Sequence, residues 1–520
     1  MNKKRLPKST YPNRYEIELD VDLDNFSYTG AQKVDLNVVE ATNNIVLNSV
    51  GIEVTKAKIQ TTKQDIPLEV NYIEEDEKIV FESQETLSEG VYELYLEFNS
   101  EITNDLKGFY KSSYMSEDGE KKWIATTQFE PTAARSAFPC WDEPEYKAIF
   151  SMTIITDEKY LRVSNEMVVE EEKVENNKLR TKFADSMKMS SYLVAFVIGD
   201  LEATVVGKSK TTDIRIIHRP GFSHQTSYAG TAAIKLLDFF EDYYKIPYPG
   251  TKLDLIAIPD FAMGAMENVG AVTFRENLLL FDKDKATRSE LDRSITVIAH
   301  ELAHMWFGDL VTMKWWDGIW LNEAFASLME VIASYNTYPE FKQWNAMNMS
   351  RTAGFSIDSL ENSRPVEFDV ETPDQAEEMF DVLTYEKGST VLRMFQMFIG
   401  EEAFQNGVEA YLNKFKFENT NSSDLWDALS EASNQPLNKI LPFWIREKGY
   451  PFLQVDCSNN FLTIKQKPFL LKNVETDKNN IKPVPVQIKF LDTGNEEKFL
   501  LDEAETVSYT HLTLPTKPSG

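Results

Sequence analysis

The sequence is poor in cysteine and contains no long apolar run. Only Cys140 and Cys457 occur among 520 residues, which excludes a disulfide framework and favours a reducing compartment. No apolar stretch reaches the roughly eighteen residues that a membrane span needs, and the basic start, MNKKRLPKSTYP, lacks the apolar segment of a secretory signal. We therefore expect a cytoplasmic protein that does not associate with membranes.

Positive charge is also scarce. The chain has 54 Lys and Arg against 83 Asp and Glu, a net charge of -29. Such a chain lacks the basic field that releases counterions from nucleic acid, so nucleic acid is not an expected partner. The 42% hydrophobic and 26% charged residues are typical of a globular protein, and the length allows two or three domains.

Strand and helix patterns follow one another in three blocks. Apolar and acidic residues alternate from Tyr15 to Leu23, which predicts a half-buried strand, and similar short runs continue to about residue 200. Helical patterns dominate from Ser289 to about Gly449, after the strand-like segments Lys252–Pro259 and Ala271–Phe274. Strand patterns then return. We expect an N-terminal β domain over 1–203, a mixed α/β domain over 204–449, a partial β domain over 450–507 and a disordered or foreign tail over 508–520.

The strongest chemical signal is His300-Glu301-Leu302-Ala303-His304, followed after eighteen residues by Glu323. On a helix the two histidines lie about 40° apart on one face, so both can bind one metal ion beside Glu301. The bare spacing also fits a surface helix with two idle histidines. Two His and one Glu, with a position left for water, form the ligand set of a catalytic zinc site. With Glu323 present, the sequence therefore favours a metal site.

Other segments carry weaker signals. The stretch Phe261–Gly270 reads as a glycine-containing loop with one acid between two strands. The stretch Gln128–Pro144 is rich in turn-forming and aromatic residues and predicts an ordered loop. Within it, Cys140 has no histidine near it in sequence, so we interpret it as a small buried residue and not a nucleophile. Tyr385 alone would be interpreted as an aromatic residue on a helix face.

Together these segments resemble the zinc aminopeptidases of the aminopeptidase-N type, a gluzincin family. Three separated motifs carry the resemblance: HELAH with Glu323, Gly264-Ala265-Met266-Glu267-Asn268, and Tyr385-Glu386-Lys387-Gly388. The stretch Gln128–Pro144 is similar to the family's N-terminal substrate loop. The resemblance covers about residues 8–505. It implies an α+β multidomain fold with an N-terminal antiparallel β domain, a thermolysin-like α/β catalytic domain and the start of a small β-sandwich domain.

The resemblance also implies roles for individual residues. One Zn²⁺ ion would be bound by His300, His304 and Glu323, with Glu301 as general base and Tyr385 as hydrogen-bond donor to the oxyanion. The partner would be a peptide whose free N-terminus is held by acidic side chains. The substrate-binding residues implied in this way are Gln128, Glu130, Met263, Gly264, Ala265, Met266, Glu267 and Asn268.

The implied function is a zinc metallo-aminopeptidase that hydrolyses the N-terminal peptide bond of peptides with broad specificity. Two alternatives stay open. An epoxide hydrolase of the leukotriene-hydrolase type usually has Gly-Gly-Met-Glu-Asn, and Ala265 argues against it. The chain does not include the large helical C-terminal domain of such enzymes, which leaves an inactive peptide-binding scaffold as the other alternative. Intact Glu301 and Tyr385 argue against lost chemistry. The sequence makes no prediction of oligomeric state.

Overall fold

The computed structural model describes residues 5–61, 64–458, 461–471, 481–489 and 494–509. Its first part consists of β strands. The first strand buries Tyr15, Ile17, Leu19 and Val21, as the alternating pattern predicts. The strands of this part are β1 (Thr10–Asp22), β2 (Ser27–Val38), β3 (Thr42–Asn48), β4 (Glu53–Gln60), β5 (Ile66–Ile73), β6 (Lys78–Leu87), β7 (Gly90–Glu101), β8 (Gly108–Met115), β9 (Lys121–Gln128), β10 (Ile149–Asp157), β11 (Leu161–Ser164), β12 (Val168–Val174), β13 (Lys178–Phe183) and β14 (Phe196–Gly199).

These strands form two sheets. The larger has the order β12-β13-β10-β1-β2-β7-β4-β5-β6-β3, and the smaller has the order β11-β14-β9-β8. The pairing is antiparallel except between β1 and β10, which run parallel. After β9 the chain enters the predicted ordered loop, where Phe138, Cys140 and Trp141 are fully buried. The loop therefore packs into the core and holds its first residues in a defined position.

The second part mixes strands with helices. Its sheet has the order β15-β16-β17-β19-β18, with β16, β17 and β19 parallel and β18 antiparallel at the edge. The elements are β15 (Glu202–Ser209), β16 (Thr212–His218), α1 (Ser227–Tyr244), β17 (Lys252–Ile258), β18 (Ala265–Met266), β19 (Ala271–Arg275), α2 (Arg288–His304), β20 (Thr312–Met313), α3 (Trp320–Thr337), α4 (Gln343–Asp358), α5 (Pro373–Glu378), α6 (Gly388–Ile399), α7 (Glu401–Lys414), β21 (Asn419–Thr420), α8 (Ser422–Ser433) and α9 (Leu437–Ile445).

Helix α2, which carries both histidines, has a well-defined start. The Thr287 hydroxyl accepts a hydrogen bond from the Glu290 backbone N–H, and the Glu290 carboxylate accepts one from the Thr287 N–H. This capping box satisfies two backbone donors that the first helical turn would leave unpaired. Ile295, Ile298 and Leu302 are fully buried. The apolar side of α2 thus lies in the core, as the sequence predicts.

The last described part contains β22 (Tyr450–Ser458), β23 (Phe461–Phe469), β24 (Val484–Lys489), β25 (Glu496–Leu501) and β26 (Glu505–Tyr509). They form the sheets β22-β23-β26 and β24-β25. The whole arrangement confirms the α+β multidomain class. The domain boundaries stay predictions, although one sheet ends with β14 and the next begins with β15. Of the predicted tail, Ser508 and Tyr509 end β26, and residues 510–520 lie outside the described residues.

Among the described residues, we find no helix whose length and hydropathy would let it cross a lipid bilayer.

Candidate active site

A cavity of 660 Å³ lies where β9 and the loop after it meet α2, α3 and the edge strand β18. The family resemblance gives a role to thirteen residues, and all of them except Asn268 line this cavity. The three motifs, separated by up to 121 positions along the chain, therefore meet at one place. The roles given to these residues stay predictions.

Three potential metal ligands converge at the base of the cavity. Nε2 of His300 lies 3.2 Å from Oε2 of Glu323, and Nε2 of His304 lies 3.4 Å from the same oxygen. Within the described residues, His300, His304 and Glu323 form a group whose ligand atoms all lie within 4.8 Å of one another. Helix α2 supplies the two imidazoles from one face, and the first turn of α3 supplies the carboxylate.

Both imidazoles are oriented by hydrogen bonds at Nδ1. Nδ1 of His300 lies 2.8 Å from Oε2 of Glu330, and Nδ1 of His304 lies 2.9 Å from the carbonyl oxygen of Phe307. Nδ1–H donation to these acceptors leaves each Nε2 available as a ligand, which is how proteins usually fix metal-binding histidines. Gly308 lets the chain turn tightly here, because its φ is 136° and a Cβ would lie 3.3 Å from Nδ1 and the carbonyl oxygen of His304.

The electrostatics of the group suit a bound cation. Burial would lower the pKa of His304, but Glu267 and Glu323 raise it to about 10. Burial likewise opposes protonation of His300, yet hydrogen bonds to Glu323 and Glu330 raise its pKa well above the usual value. The carboxylates thus draw positive charge onto the imidazoles. Two imidazole nitrogens and one carboxylate are also the donor set of a catalytic zinc site, so the residues present fit a divalent metal ion.

Glu301 lies beside this group without being part of it. Its side chain is 5% exposed and lines the same cavity. Burial raises the pKa of Glu301 to about 8, although the neighbouring His300 and His304 act to lower it. A carboxyl group of this kind can take and return a proton near neutral pH.

Three further oxygen atoms are buried in residues that line the cavity and have no hydrogen-bond partners among the described residues. They are Oε1 of Glu267, Oε1 of Glu130 and Oε1 of Gln128. Burial raises the pKa of Glu130 well above its usual value, and the charge of Glu267 raises it further. Buried acceptors of this kind are costly unless a ligand donates hydrogen bonds to them. The cavity is therefore prepared for a cationic donor.

The segment from Gly264 to Asn268 contains a two-residue strand, Ala265–Met266, within the stretch where the sequence predicts a loop. Ala265 and Met266 form β18 and pair with β19, and no other strand of the described residues pairs with the opposite edge of β18. Met263, just before it, is 53% exposed. The Asn268 amide donates to Ala271 O and Thr273 Oγ1 within its own turn. An extended peptide can add to the free edge of β18.

Tyr385 reaches the cavity from a π-helical turn, Leu383–Lys387, that directly precedes α6. The sequence predicts only that this tyrosine lies on the face of an ordinary helix. Its ring lies 6.0 Å from the His300 ring, centroid to centroid, at an interplanar angle of 25°. Burial raises the pKa of the Tyr385 hydroxyl well above its usual value, and Glu323 raises it further. The hydroxyl is thus a proton-bearing donor next to the metal ligands.

Some residues of the cavity are not singled out by the sequence. Glu330 contacts His300, Arg293 lines the cavity, and Lys107 and Glu377 form an ion pair at its edge. A signal for Glu330 exists, because it lies seven residues after Glu323, about 20° away on the same helix face. The pair between Lys107 and Glu377 has no such signal, since 270 positions separate the two residues.

The sequence matches two family models in the regions that build this cavity. The model described as Peptidase M1 N-terminal domain matches residues 11–193, and the model described as Peptidase family M1 domain matches residues 228–444. The chain belongs to peptidase family M1. Both models fall on the parts that contribute Gln128, Glu130 and the three clustered ligands.

Relatives with curated descriptions agree with this assignment. Aminopeptidase M1-A of Oryza sativa subsp. japonica is 39% identical over 509 residues, covering 96% of this chain and 58% of the relative. Aminopeptidase M1 of Arabidopsis thaliana is 41% identical, covering 90% and 53%. Puromycin-sensitive aminopeptidase of Caenorhabditis elegans is 37% identical, covering 96% and 54%. The chain thus spans little more than half the length of these relatives.

Proposed function

We propose that this chain is a zinc-dependent aminopeptidase that hydrolyses the N-terminal peptide bond of peptides with broad specificity. One observation carries the proposal. Glu323 belongs to two groups at once, one with His300 and His304 and one with Glu130 and Glu267, each held within 4.8 Å. Because the metal site and the ammonium site share a carboxylate, they lie about one amino-acid residue apart. A peptide whose free amine occupied the ammonium site would therefore place its first peptide bond at the metal site.

The free amine is the group by which the substrate is recognised. The α-ammonium group would donate hydrogen bonds to Glu267, Glu130 and Gln128, whose side chains line the cavity and carry oxygen atoms without hydrogen-bond partners among the described residues. A blocked amine would leave these acids buried and unpaired, so N-acetylated peptides would bind poorly. The peptide backbone beyond the first residue would pair with Gly264 and Ala265 along the edge of β18.

The chemical step would use Glu301 and Tyr385. A zinc ion bound by His300, His304 and Glu323 would supply a water whose pKa is lowered towards about 7 and would polarise the scissile carbonyl. Glu301 would take the proton of the attacking water and deliver it to the departing amine. The Tyr385 hydroxyl would donate a hydrogen bond to the oxyanion that forms.

The first side chain of the substrate would meet Met263. A flexible, polarisable thioether suits several side-chain shapes, which favours broad specificity. We also propose the cytoplasm as the location, because Cys140 and Cys457 are both free thiols and a reducing compartment keeps them so. The charge of -29 argues against nucleic acid as a partner.

The variant Glu301→Gln tests the proposal. We expect the variant to retain its zinc content and melting temperature while kcat falls by about 10²- to 10⁴-fold, the usual contribution of a general base. Chelation of the wild type should abolish hydrolysis of aminoacyl-arylamides, and added zinc should restore it. A folded, zinc-loaded wild type without turnover would instead support the peptide-binding scaffold. Epoxide opening by that sample would support the leukotriene-hydrolase alternative.

A further inference from the structure

Three buried carboxylates form a second group that can hold a cation. One oxygen of each of Glu130, Glu267 and Glu323 lies within 4.8 Å of the other two. Glu267 and Glu323 are each 2% exposed. Burial of three carboxylates this close together is unfavourable unless positive charge compensates them.

A second observation comes from atoms that lack partners. The Gln128 side chain is 8% exposed, and its amide nitrogen lies 3.4 Å from Sδ of Met266. Its amide oxygen has no hydrogen-bond donor among the described residues, and the same holds for Oε1 of Glu130 and of Glu267. All three side chains line the cavity. An amide oxygen next to free carboxylate oxygens is a set of acceptors without a donor, which a cation would satisfy.

The charge of the cavity leads to the same conclusion. Eight acidic residues line it against two basic ones, Lys107 and Arg293, and the acidic set is Asp105, Glu130, Glu267, Glu301, Glu323, Glu330, Glu377 and Glu386. A divalent cation carries twice the charge of an α-ammonium group and therefore compensates more of this acidic excess.

We propose that the ammonium subsite also binds a second divalent cation, which is held by oxygen atoms alone and competes with the free amine of the substrate. The proposal rests on the function proposed above, because that function defines the subsite. Carboxylate and amide oxygens select Mn²⁺, Mg²⁺ or Ca²⁺ over softer ions. Glu323 would bridge the two ions, as carboxylates do in sites where two metals lie about 3.5–4 Å apart.

Titration of the zinc-loaded chain with Mn²⁺ tests this proposal. Electron paramagnetic resonance measures the free Mn²⁺, and the zinc content is checked throughout. We expect the wild type to bind one Mn²⁺ while keeping its zinc. The variant Glu130→Gln should keep its zinc and bind Mn²⁺ at least about tenfold more weakly, the loss expected when a metal site loses a supporting group. The variant Glu377→Gln removes a carboxylate at the cavity edge and should leave the Mn²⁺ affinity within about twofold.

Displacement provides a second measurement that needs no variant. Free L-leucine should release Mn²⁺ from the wild type, and N-acetyl-L-leucine should not. In steady-state hydrolysis Mn²⁺ at its dissociation constant should double the apparent KM and leave kcat unchanged.

Three results would overturn the proposal: no Mn²⁺ binding at millimolar concentration, equal binding by wild type and Glu130→Gln, or no release by L-leucine. Hydrolysis by a zinc-loaded sample that binds no Mn²⁺ would reject this proposal and keep the proposed function. If a sample bound Mn²⁺ that L-leucine displaces but hydrolysed no substrate, the second cation site would be kept and the proposed function rejected.

Discussion

Oε2 of Glu330 lies 2.8 Å from Nδ1 of His300, while Nε2 of the same ring faces Glu323 at 3.2 Å. Glu323 and Glu330 both come from α3, two turns apart on one face. One helix therefore supplies the carboxylate next to Nε2 and the carboxylate that orients the ring. A carboxylate in this position fixes the tautomer of a ligating histidine and raises its basicity.

From this relationship we expect Glu330→Ala to weaken zinc binding by about 10- to 100-fold, the usual effect of removing such a partner. Zinc retained against a graded series of chelator concentrations measures the loss. Glu330→Gln keeps an acceptor for Nδ1–H and should recover part of the affinity. The variant Glu386→Gln lies in the same cavity without a hydrogen bond to His300 and is the control. Equal zinc retention by Glu330→Ala and wild type would contradict the role.

Gly388 sets the distance between α6 and α3. A Cβ at this position would lie 2.6 Å from Cβ of Ala324, the residue after Glu323. We expect Gly388→Ala to destabilise the fold by about 1–3 kcal/mol, because neither backbone can yield easily. The added methyl group should also push α6 away from α3 and so move Tyr385 relative to Glu323. We therefore expect kcat to fall by a larger factor than KM rises.

The matched control for Gly388→Ala is Gly354→Ala on α4. At Gly354 a Cβ would meet its nearest atom at 3.5 Å, which is ordinary contact, and alanine favours a helix interior over glycine by about 0.5–1 kcal/mol. Thermal unfolding should therefore show opposite shifts for the two variants. Equal melting temperatures for both would mean that the contact between Gly388 and Ala324 does not constrain the site.

Lys147 predicts a pH dependence of stability. Its Nζ donates to the carbonyl oxygens of Asp309 and Leu310, and burial lowers its pKa from 10.5 to about 7, although the charge of Asp309 opposes this. Between these two pH values the unfolded chain binds more protons at this residue than the folded chain does. The free energy of unfolding therefore rises with pH in this window, by at most about 1.4 kcal/mol per pH unit.

The variant Lys147→Met removes this dependence. As the pH falls from 9 to 7, the wild type should lose melting temperature through Lys147 and the variant should not. The difference in melting temperature, variant minus wild type, should therefore increase over this range. The exposed Lys33→Met is the control and should follow the wild type throughout. Parallel curves for Lys147→Met and wild type would show that Lys147 stays charged in the folded protein.

The sequence predicts best what depends on local spacing. The face shared by His300 and His304 and the alternation in β1 follow from helix or strand periodicity, and the structure contains both of them. The convergence of Glu130, Glu267 and Glu323 does not follow from spacing, because it depends on how the N-terminal sheets pack against α2 and α3. The sequence connects these acids through family resemblance alone.

Other features depend on packing between distant segments. The π-helical turn at Tyr385 accompanies the close approach of Gly388 to α3, and periodicity read from Tyr385 onward indicates an ordinary helix instead. The parallel pairing of β1 with β10 joins strands more than a hundred residues apart, and local patterns contain no information about such a pairing. Glu330 is different, since its seven-residue spacing from Glu323 places it on the same helix face, although no motif marks it.

The central claim is that the acids beside Glu323 recognise the free amine of the substrate. Its most direct test compares kcat/KM for leucyl-arylamide and N-acetyl-leucyl-arylamide with the zinc-loaded chain. We predict a preference of at least about 10³-fold for the free amine, because buried polar groups that lose their partner reject such analogues strongly. Comparable values for the two substrates would contradict the claim, since Glu130 and Glu267 would then play no part in recognition.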